Sequence, residues 1–419
     1  MQIKSIAVEN FKALRSSGTV RLKPLSIIIG NNGSGKSSLL EAAETYVRIL
    51  DEGVEGAMKH WQGFEHIWHK AAQTGKASNA PLAKQPNPMK LALNLKVDTV
   101  NSKLSVAVNT ADNGNFLYIQ QERGQIGSTK FERNAVGQRA NRSFLGLVYS
   151  NDLQASIEAA SKSVGSSSTL LPFLGAFDKV TRSLRSTLFL RLNPDAIGQL
   201  QSVSRSGQRI QLASDGSNVA EYLIDLRERS PSAFEQIANA LRYVLPYASD
   251  VEPKVLDAGI IRRSYVQLLE SKYEIPGWLM SSGSLRVLPL IATLLDPDPP
   301  PVVFIEEVEN GLDPRTVGLV VDLMRAAANS GRSQIIATTH SPYLLDMLDL
   351  DDVLLCERGE KGPAFSWPGS RAEMQAWRDN FMPGRLYTMN ALQREAVPAA
   401  GETIPQVGEA PEGGWGDEE

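Results

Sequence analysis

The stretch Gly30-Asn31-Asn32-Gly33-Ser34-Gly35-Lys36-Ser37 has the spacing G-x-x-x-x-G-K-[ST]. An apolar run, Leu25 to Ile29, leads into it, and a helix-like segment, Ser38 to Leu50, follows. Strand, glycine-rich loop and helix in that order make a nucleotide phosphate site. The glycines let the loop wrap with its N–H groups pointing inward, and the helix N-terminus behind it favours negative charge. Asn31, Asn32, Gly33, Ser34, Gly35, Lys36, Ser37 and Ser38 are therefore the expected phosphate-contacting residues. Lys36 is expected to reach the β- and γ-phosphates and the Ser37 hydroxyl to ligate Mg²⁺. A bare glycine-rich turn would need neither the Lys-Ser pair nor the flanking strand and helix, so the chain is expected to bind ATP or GTP.

About 270 residues downstream, Pro301-Val302-Val303-Phe304-Ile305 forms a short apolar run ending in Glu306-Glu307. Such runs suit buried parallel strands. In open α/β sheets ligands lie beyond the carboxyl ends of the strands, which puts both carboxylates near the phosphates. One would serve Mg²⁺ and the next would polarise the attacking water. A third apolar run, Gln334 to Thr339, ends at His340, where an imidazole can bond a γ-phosphate or orient that water.

From this point the chain resembles the ABC-type ATPase heads of the SMC and RecF-like group and, within it, the OLD/AbiEii-like AAA ATPases of bacteria and phages. The likeness runs over most of residues 1 to 395. Ile3 to Lys12 resembles the family's opening strand and "NF-basic" element, which adds Lys12 to the expected nucleotide-contacting residues. Ser281-Ser282-Gly283-Ser284-Leu285-Arg286 resembles the signature loop, with Ser284 in place of the second glycine. Asn310-Gly311-Leu312-Asp313-Pro314 is similar to the D-loop, with Asp313 as its nucleotide-facing acid, and Thr338-Thr339-His340-Ser341-Pro342 is similar to the switch-histidine loop. The resemblance implies an α/β P-loop NTPase of ABC-ATPase head type in two lobes. It also implies Mg²⁺ on Ser37 and Glu306, catalysis by Glu307 and His340, and a head-to-head dimer in which Ser282, Gly283 and Ser284 serve the nucleotide held by a second subunit. Glu306 departs from the Asp usual at its position. Its extra methylene is tolerable if contact with the metal runs through water, which fits slow turnover.

Composition sets the frame. The chain has 419 residues, 42% hydrophobic, with a net charge of −4, as expected of a globular protein of about two domains. One cysteine, Cys356, leaves no intramolecular disulfide, and no basic-then-apolar leader precedes the first strand, so a reducing, cytoplasmic setting is expected. Apolar runs such as Leu288 to Leu295 are far below the roughly 18 residues of a membrane span. The reading divides the chain at 1–150 (first lobe, with strand-like Leu91–Val97, Leu104–Val108 and Phe116–Gln120), 151–276 (a mainly helical insertion or lid), 277–395 (second lobe) and 396–419 (an acidic Gly/Pro/Glu-rich disordered tail). Within the insertion Val219 to Arg229 and Ala233 to Val244 are the amphipathic stretches. Sustained heptads are missing, which argues against a coiled coil.

Other features read as structural. His60, His66 and His69 fall beside Trp61, Phe64 and Trp68 and are expected to pack rather than bind metal. Ser161 to Ser168 is expected as a loop. Asp349-Leu350-Asp351-Asp352 imitates a metal-nuclease pattern but lies between the His340 loop and an apolar run, Val353 to Cys356. Only about 25 residues follow Leu392, too few for a nuclease domain. The expected task is therefore ATP-gated control of a separate effector, a Toprim-like, HNH or HEPN nuclease or a toxin, in phage defence or DNA maintenance, with DNA as a further possible partner. Two alternatives stand beside it: a RecF-type repair ATPase, and a transporter motor. The S-S-G-S-L-R loop and the "NF-basic" opening argue against the transporter.

Overall fold

The computed structural model describes residues 1–73, 81–111, 114–135, 146–150, 153–160, 164–203, 209–259, 261–359, 362–378 and 380–393. The expected acidic tail and the start of the Ser-rich stretch, 161–163, lie outside the described residues.

Four of the apolar runs build the centre of the molecule. Leu25–Ile29, Gln334–Thr338, Val302–Ile305 and Val353–Gly359 lie parallel, and Leu188–Leu190 extends the sheet beyond Val302–Ile305. Gly362–Ser366 closes the other edge antiparallel, giving a six-stranded sheet. These strands are apolar throughout because both faces are covered. Leu25, Ile27 and Ile29 enter one hydrophobic core while Ile28 enters the other, and Val303 and Ile305 part in the same way from Val302 and Phe304. Phe189 stacks on Phe304 at 4.8 Å, which fixes the short edge strand against its neighbour.

One core lies beneath helices Val219–Arg229, Pro231–Val244, Ser282–Leu295 and Pro314–Asn329. The other holds helix Lys36–His60, broken at Gly53, between the parallel sheet and a seven-stranded antiparallel sheet. That second sheet contains Gln2–Phe11, Leu14–Arg21, Met89–Val97, Val100–Ala111, Phe116–Ile126, Thr129–Asn134 and Gly146–Tyr149. A helix with a sheet on each side has little use for a polar face, and Leu39, Leu40, Ala42, Ala43, Tyr46 and Leu50 are all buried. The buried Gln334 side chain joins the two sheets: it accepts from Ile3 N (2.7 Å) and donates to Ile3 O and Lys23 O (2.9 Å each).

The first-lobe strands appear where the sequence places them, each longer than its apolar stretch. Residues 151–276, expected as a mainly helical insertion, carry β-structure as well. Leu188–Leu190 belongs to the central sheet, and Asp250–Ala258, Ile261–Glu270, Tyr273–Pro276 and Gln201–Ser202 form an antiparallel sheet of their own. The two expected helices do form, but they pack into the same core as the signature-loop helix. The reason lies in the strands: Val255, Leu256 and Ile261 are exposed on a hairpin that mixes them with charged residues, so no clean period of two marks it.

Among the histidines, His60 turns its Nε2 toward Glu44 at 3.5 Å, and the His69 ring accepts from Ala71 N at 3.1 Å. Asp351 carries an ion pair with Arg378 at 3.1 Å, on the short turn before strand Val353–Gly359.

Candidate nucleotide site at the carboxyl edge of the parallel sheet

Because the central strands are parallel, their carboxyl ends meet at one edge. Ile29 runs into Gly30, Ile305 into Glu306, Thr338 into His340, and Leu190 into Arg191. Lateral hydrogen bonds hold these exits in register, from Thr339 N to Ile28 O (3.1 Å), Val308 N to Thr338 O (3.1 Å) and Glu306 N to Leu190 O (2.9 Å).

The glycine-rich loop is built for a ligand. Gly30 passes so close to strand Val353–Gly359 that a Cβ there would lie 2.0 Å from Cys356 O. Gly33 and Gly35 take left-handed conformations, φ 72° and 113°. Helix Lys36–His60 begins with no side-chain cap and no acidic residue in its first turn, so its leading N–H groups carry uncompensated positive potential. Ser34 Oγ is buried without a partner. Lys36, 5% exposed, folds back to donate to Gly30 O (2.6 Å) and Asn31 O (3.1 Å). Burial pulls its pKa below the usual lysine value, against the nearby charges of Cys356, Glu307, Glu309 and Glu306. An orphaned hydroxyl, an uncapped helix start and a desolvated cation all fit a nucleotide's phosphates. Asn31, Asn32 and Gly33 are exposed, Ser37 is half-buried and Ser38 is buried.

The carboxylates sit opposite. Glu307 holds a left-handed φ of 48°, its N–H donates to Thr338 Oγ1 (2.9 Å), and its exposed carboxylate accepts from Asn310 Nδ2 (3.2 Å). A non-glycine residue in that conformation is strained, and the strain turns the side chain out from the strand end. The backbone N–H of His340 is fixed by Glu309 Oε1 (2.7 Å), whose Oε2 is buried without a partner. Asp313 caps helix Pro314–Asn329 through Arg315 N (2.9 Å), Thr316 N (3.3 Å) and the Thr316 hydroxyl (2.5 Å). Those bonds, the hydroxyl's first, hold its carboxyl below the usual range.

Lys12 and the signature residues have other partners. Lys12 pairs with Glu41 (2.7 Å) and lies 4.2 Å over the Trp61 ring, beside the second turn of the loop's helix. Ser281 caps helix Ser282–Leu295, its Oγ accepting from Ser284 N at 3.2 Å. Ser282 is exposed, whereas Ser284 is buried, with its hydroxyl shared between Ser281 Oγ (2.8 Å) and Tyr247 OH (3.0 Å). Of the three expected contacts, Ser282 is presented at the surface, Gly283 is half-buried against Gly311, and Ser284 supports the turn from within.

Two acid–base partners escape the sequence reading. Arg191 donates through Nε to Glu306 Oε2 (2.6 Å) and through Nη1 to Glu44 Oε2 (2.5 Å). Glu309 has the backbone-positioning role just described. A three-residue strand is too short to announce Arg191, and the only available signal is that Leu188-Phe189-Leu190 is an apolar run ending in a charge. Tyr387, on helix Pro383–Thr388, donates to Asn31 Oδ1 at 3.3 Å.

Among the described residues no helix is long and apolar enough to cross a membrane. Comparison with known proteins follows the same lines. Residues 1–116 match the family model described as an AAA ATPase domain, and residues 151–346 match that described as an AAA domain, putative AbiEii toxin, Type IV TA system. No curated protein matches by sequence. Among solved structures, the chain is similar to an SMC head bound to the C-winged helix domain of ScpA, with a TM-score of 0.53, 12% identity, and 87% of this chain and 98% of that one covered. It is also similar to the head domain with an extended coiled coil bound to the C-terminal domain of ScpA from Pyrococcus furiosus, with a TM-score of 0.50, 10% identity, and 90% and 98% covered. Identities this low speak to fold. Residues 1–116 and 151–346 thus resemble AAA ATPase domains, and they lie on a fold similar to that of SMC heads.

Proposed function

We propose that the chain binds ATP with Mg²⁺ on the loop Gly30 to Ser38, hydrolyses it slowly, and uses the cycle to control a separate effector in phage defence or DNA maintenance. The observation that carries this reading is the convergence of Lys36, Glu306, Glu307 and the His340 loop at one edge of the parallel sheet. Lys36 would leave the Gly30 and Asn31 carbonyls to meet the β- and γ-phosphates. Ser37 and Glu306 would hold Mg²⁺, which neutralises charge on the phosphoryl oxygens. Glu307, turned outward by its backbone, would take the proton of the attacking water, and His340 would bond the γ-phosphate. Phosphoryl transfer asks mostly for such positioning and charge.

A second copy would complete each site with Ser282, exposed at the start of its helix, and the half-buried Gly283 beside it. The D-loop that carries Asp313 packs against this start, since a Cβ on Gly283 would lie 2.5 Å from Gly311 O. A partner protein is a natural companion for this fold, since the two similar SMC heads are each bound to ScpA. Phosphate release from ATP by the purified chain, compared with Glu307→Gln, tests the reading. Turnover in the parent and its loss in the variant are expected, and equal rates would overturn the assignment. Co-purification of the untagged chain with its genomic neighbours tests the effector: a nuclease or toxin is expected, and a membrane permease would favour the transporter reading.

A further inference from the structure

The guanidinium of Arg191 stands between two carboxylates from different elements. Its Nε meets Glu306 Oε2 at 2.6 Å, and its Nη1 meets Glu44 Oε2 at 2.5 Å. Each partner is itself fixed. Glu44, 3% exposed, lies on the loop's helix, and its other oxygen receives Arg48 (2.9 Å) with His60 at 3.5 Å. Glu306 is anchored by its N–H on Leu190 O, the residue before Arg191. Trp61 lies 5.5 Å from the Arg191 guanidinium and 4.2 Å from Lys12 Nζ. A planar fork held this way keeps its geometry better than a lysine would.

Resting on the nucleotide reading above, we infer that Arg191 is a positioning residue that holds Glu306 and governs how the site takes up Mg²⁺ with its nucleotide. The arrangement accounts for the residue at position 306. A shorter aspartate on the same backbone falls a methylene short of Arg191, whereas the glutamate spans the gap. With Oε2 held by Arg191, Glu306 would present its other oxygen to the metal in one orientation, with room for contact through a water molecule. Glu306 and Arg191 then act as a unit, and the loop's helix is tied to the end of strand Val302–Ile305 through Glu44.

The test is calorimetry of ATP binding to the full chain, in EDTA and across a Mg²⁺ titration. Metal-free ATP binding depends on Lys36 and the loop, so it stays close to the parent in Arg191→Ala and Glu306→Asp and also reports that each variant is folded. The Mg²⁺ concentration needed for half its effect rises by about tenfold or more in Arg191→Ala. Glu306→Asp, although it restores the commoner carboxylate, shows the same rise. The double variant is no worse than either single one, since both remove one interaction, and Arg191→Lys recovers part of the loss. Glu306→Asp taking up Mg²⁺ as readily as the parent, or losses that add in the double variant, would overturn the inference. If Arg191→Ala does not fold, Glu306→Asp decides alone. A parent that binds no ATP in either condition would instead overturn the nucleotide reading.

Discussion

Two helices of this molecule start in glycine- and serine-rich turns, and they start very differently. At Lys36 the helix has no side-chain cap, the Ser34 hydroxyl is buried without a partner, and Lys36 turns back on the loop's own carbonyls. At Ser282 the opposite holds: Ser281 caps the helix, Ser284 spends its hydroxyl on Ser281 and Tyr247, and Ser282 stands exposed. The first start leaves its leading N–H groups and the Ser34 hydroxyl without a side-chain partner. The second is already satisfied and faces outward. On the proposed reading, the first is the phosphate site and the second completes a site held by another copy.

Substitutions can separate the two. The largest effect is expected at the carboxyl edge shared by the first start. Glu307→Gln keeps the side chain's shape and ATP binding but lowers turnover by roughly 100-fold or more, measured as phosphate release. Next, Lys36→Ala weakens ATP binding by about 100-fold in calorimetry, the loss of charged hydrogen bonds to the phosphates. Unchanged affinity would erase the distinction between the two starts. At the second start the effect is one of stability: Ser281→Ala costs about 1 kcal/mol in urea unfolding, the loss of an N-cap, and leaves monomer ATP binding as it was. The smallest effect is in pH. Burial holds the Lys36 pKa below its ordinary 10.5, and phosphate binds the protonated form. Affinity therefore falls as pH climbs through the window beneath 10.5, with proton uptake on binding. A rise in affinity over that window would contradict the role of Lys36.

What could be read in the chain divides along the same sheet. Leu25–Ile29, Val302–Ile305 and Gln334–Thr338 are buried on both faces, so they appear as unbroken apolar runs, and the residues that follow them are the chemical ones. That made the parallel sheet, the loop and the Glu306-Glu307 and His340 positions legible together. Leu188–Leu190 obeys the same rule, but three residues are too few to separate from chance, so Arg191 and its bridge to Glu44, 147 residues away, stayed hidden. Ser282, Gly283 and Ser284 read alike in the sequence, but a helix start has an inner side, and only packing against Tyr247 shows which serine lies on it. The hairpin Asp250–Ala258 with Ile261–Glu270 was read with the helices around it, because its exposed face mixes charged and large apolar residues without alternation.

The most direct measurement is sedimentation of Glu307→Gln with ATP and Mg²⁺, in which slow turnover preserves any ATP-bound assembly. If the outward-facing helix start completes the nucleotide site of a second copy, the protein moves from its 45.7 kDa chain mass to twice that value on adding ATP. Adding Ser282→Arg, which places bulk and an unpaired charge on that start, then returns it to the monomer while calorimetry still finds ATP bound. A Glu307→Gln protein that stays monomeric with saturating ATP, or an ATP-driven dimer indifferent to Ser282→Arg, would contradict the shared site.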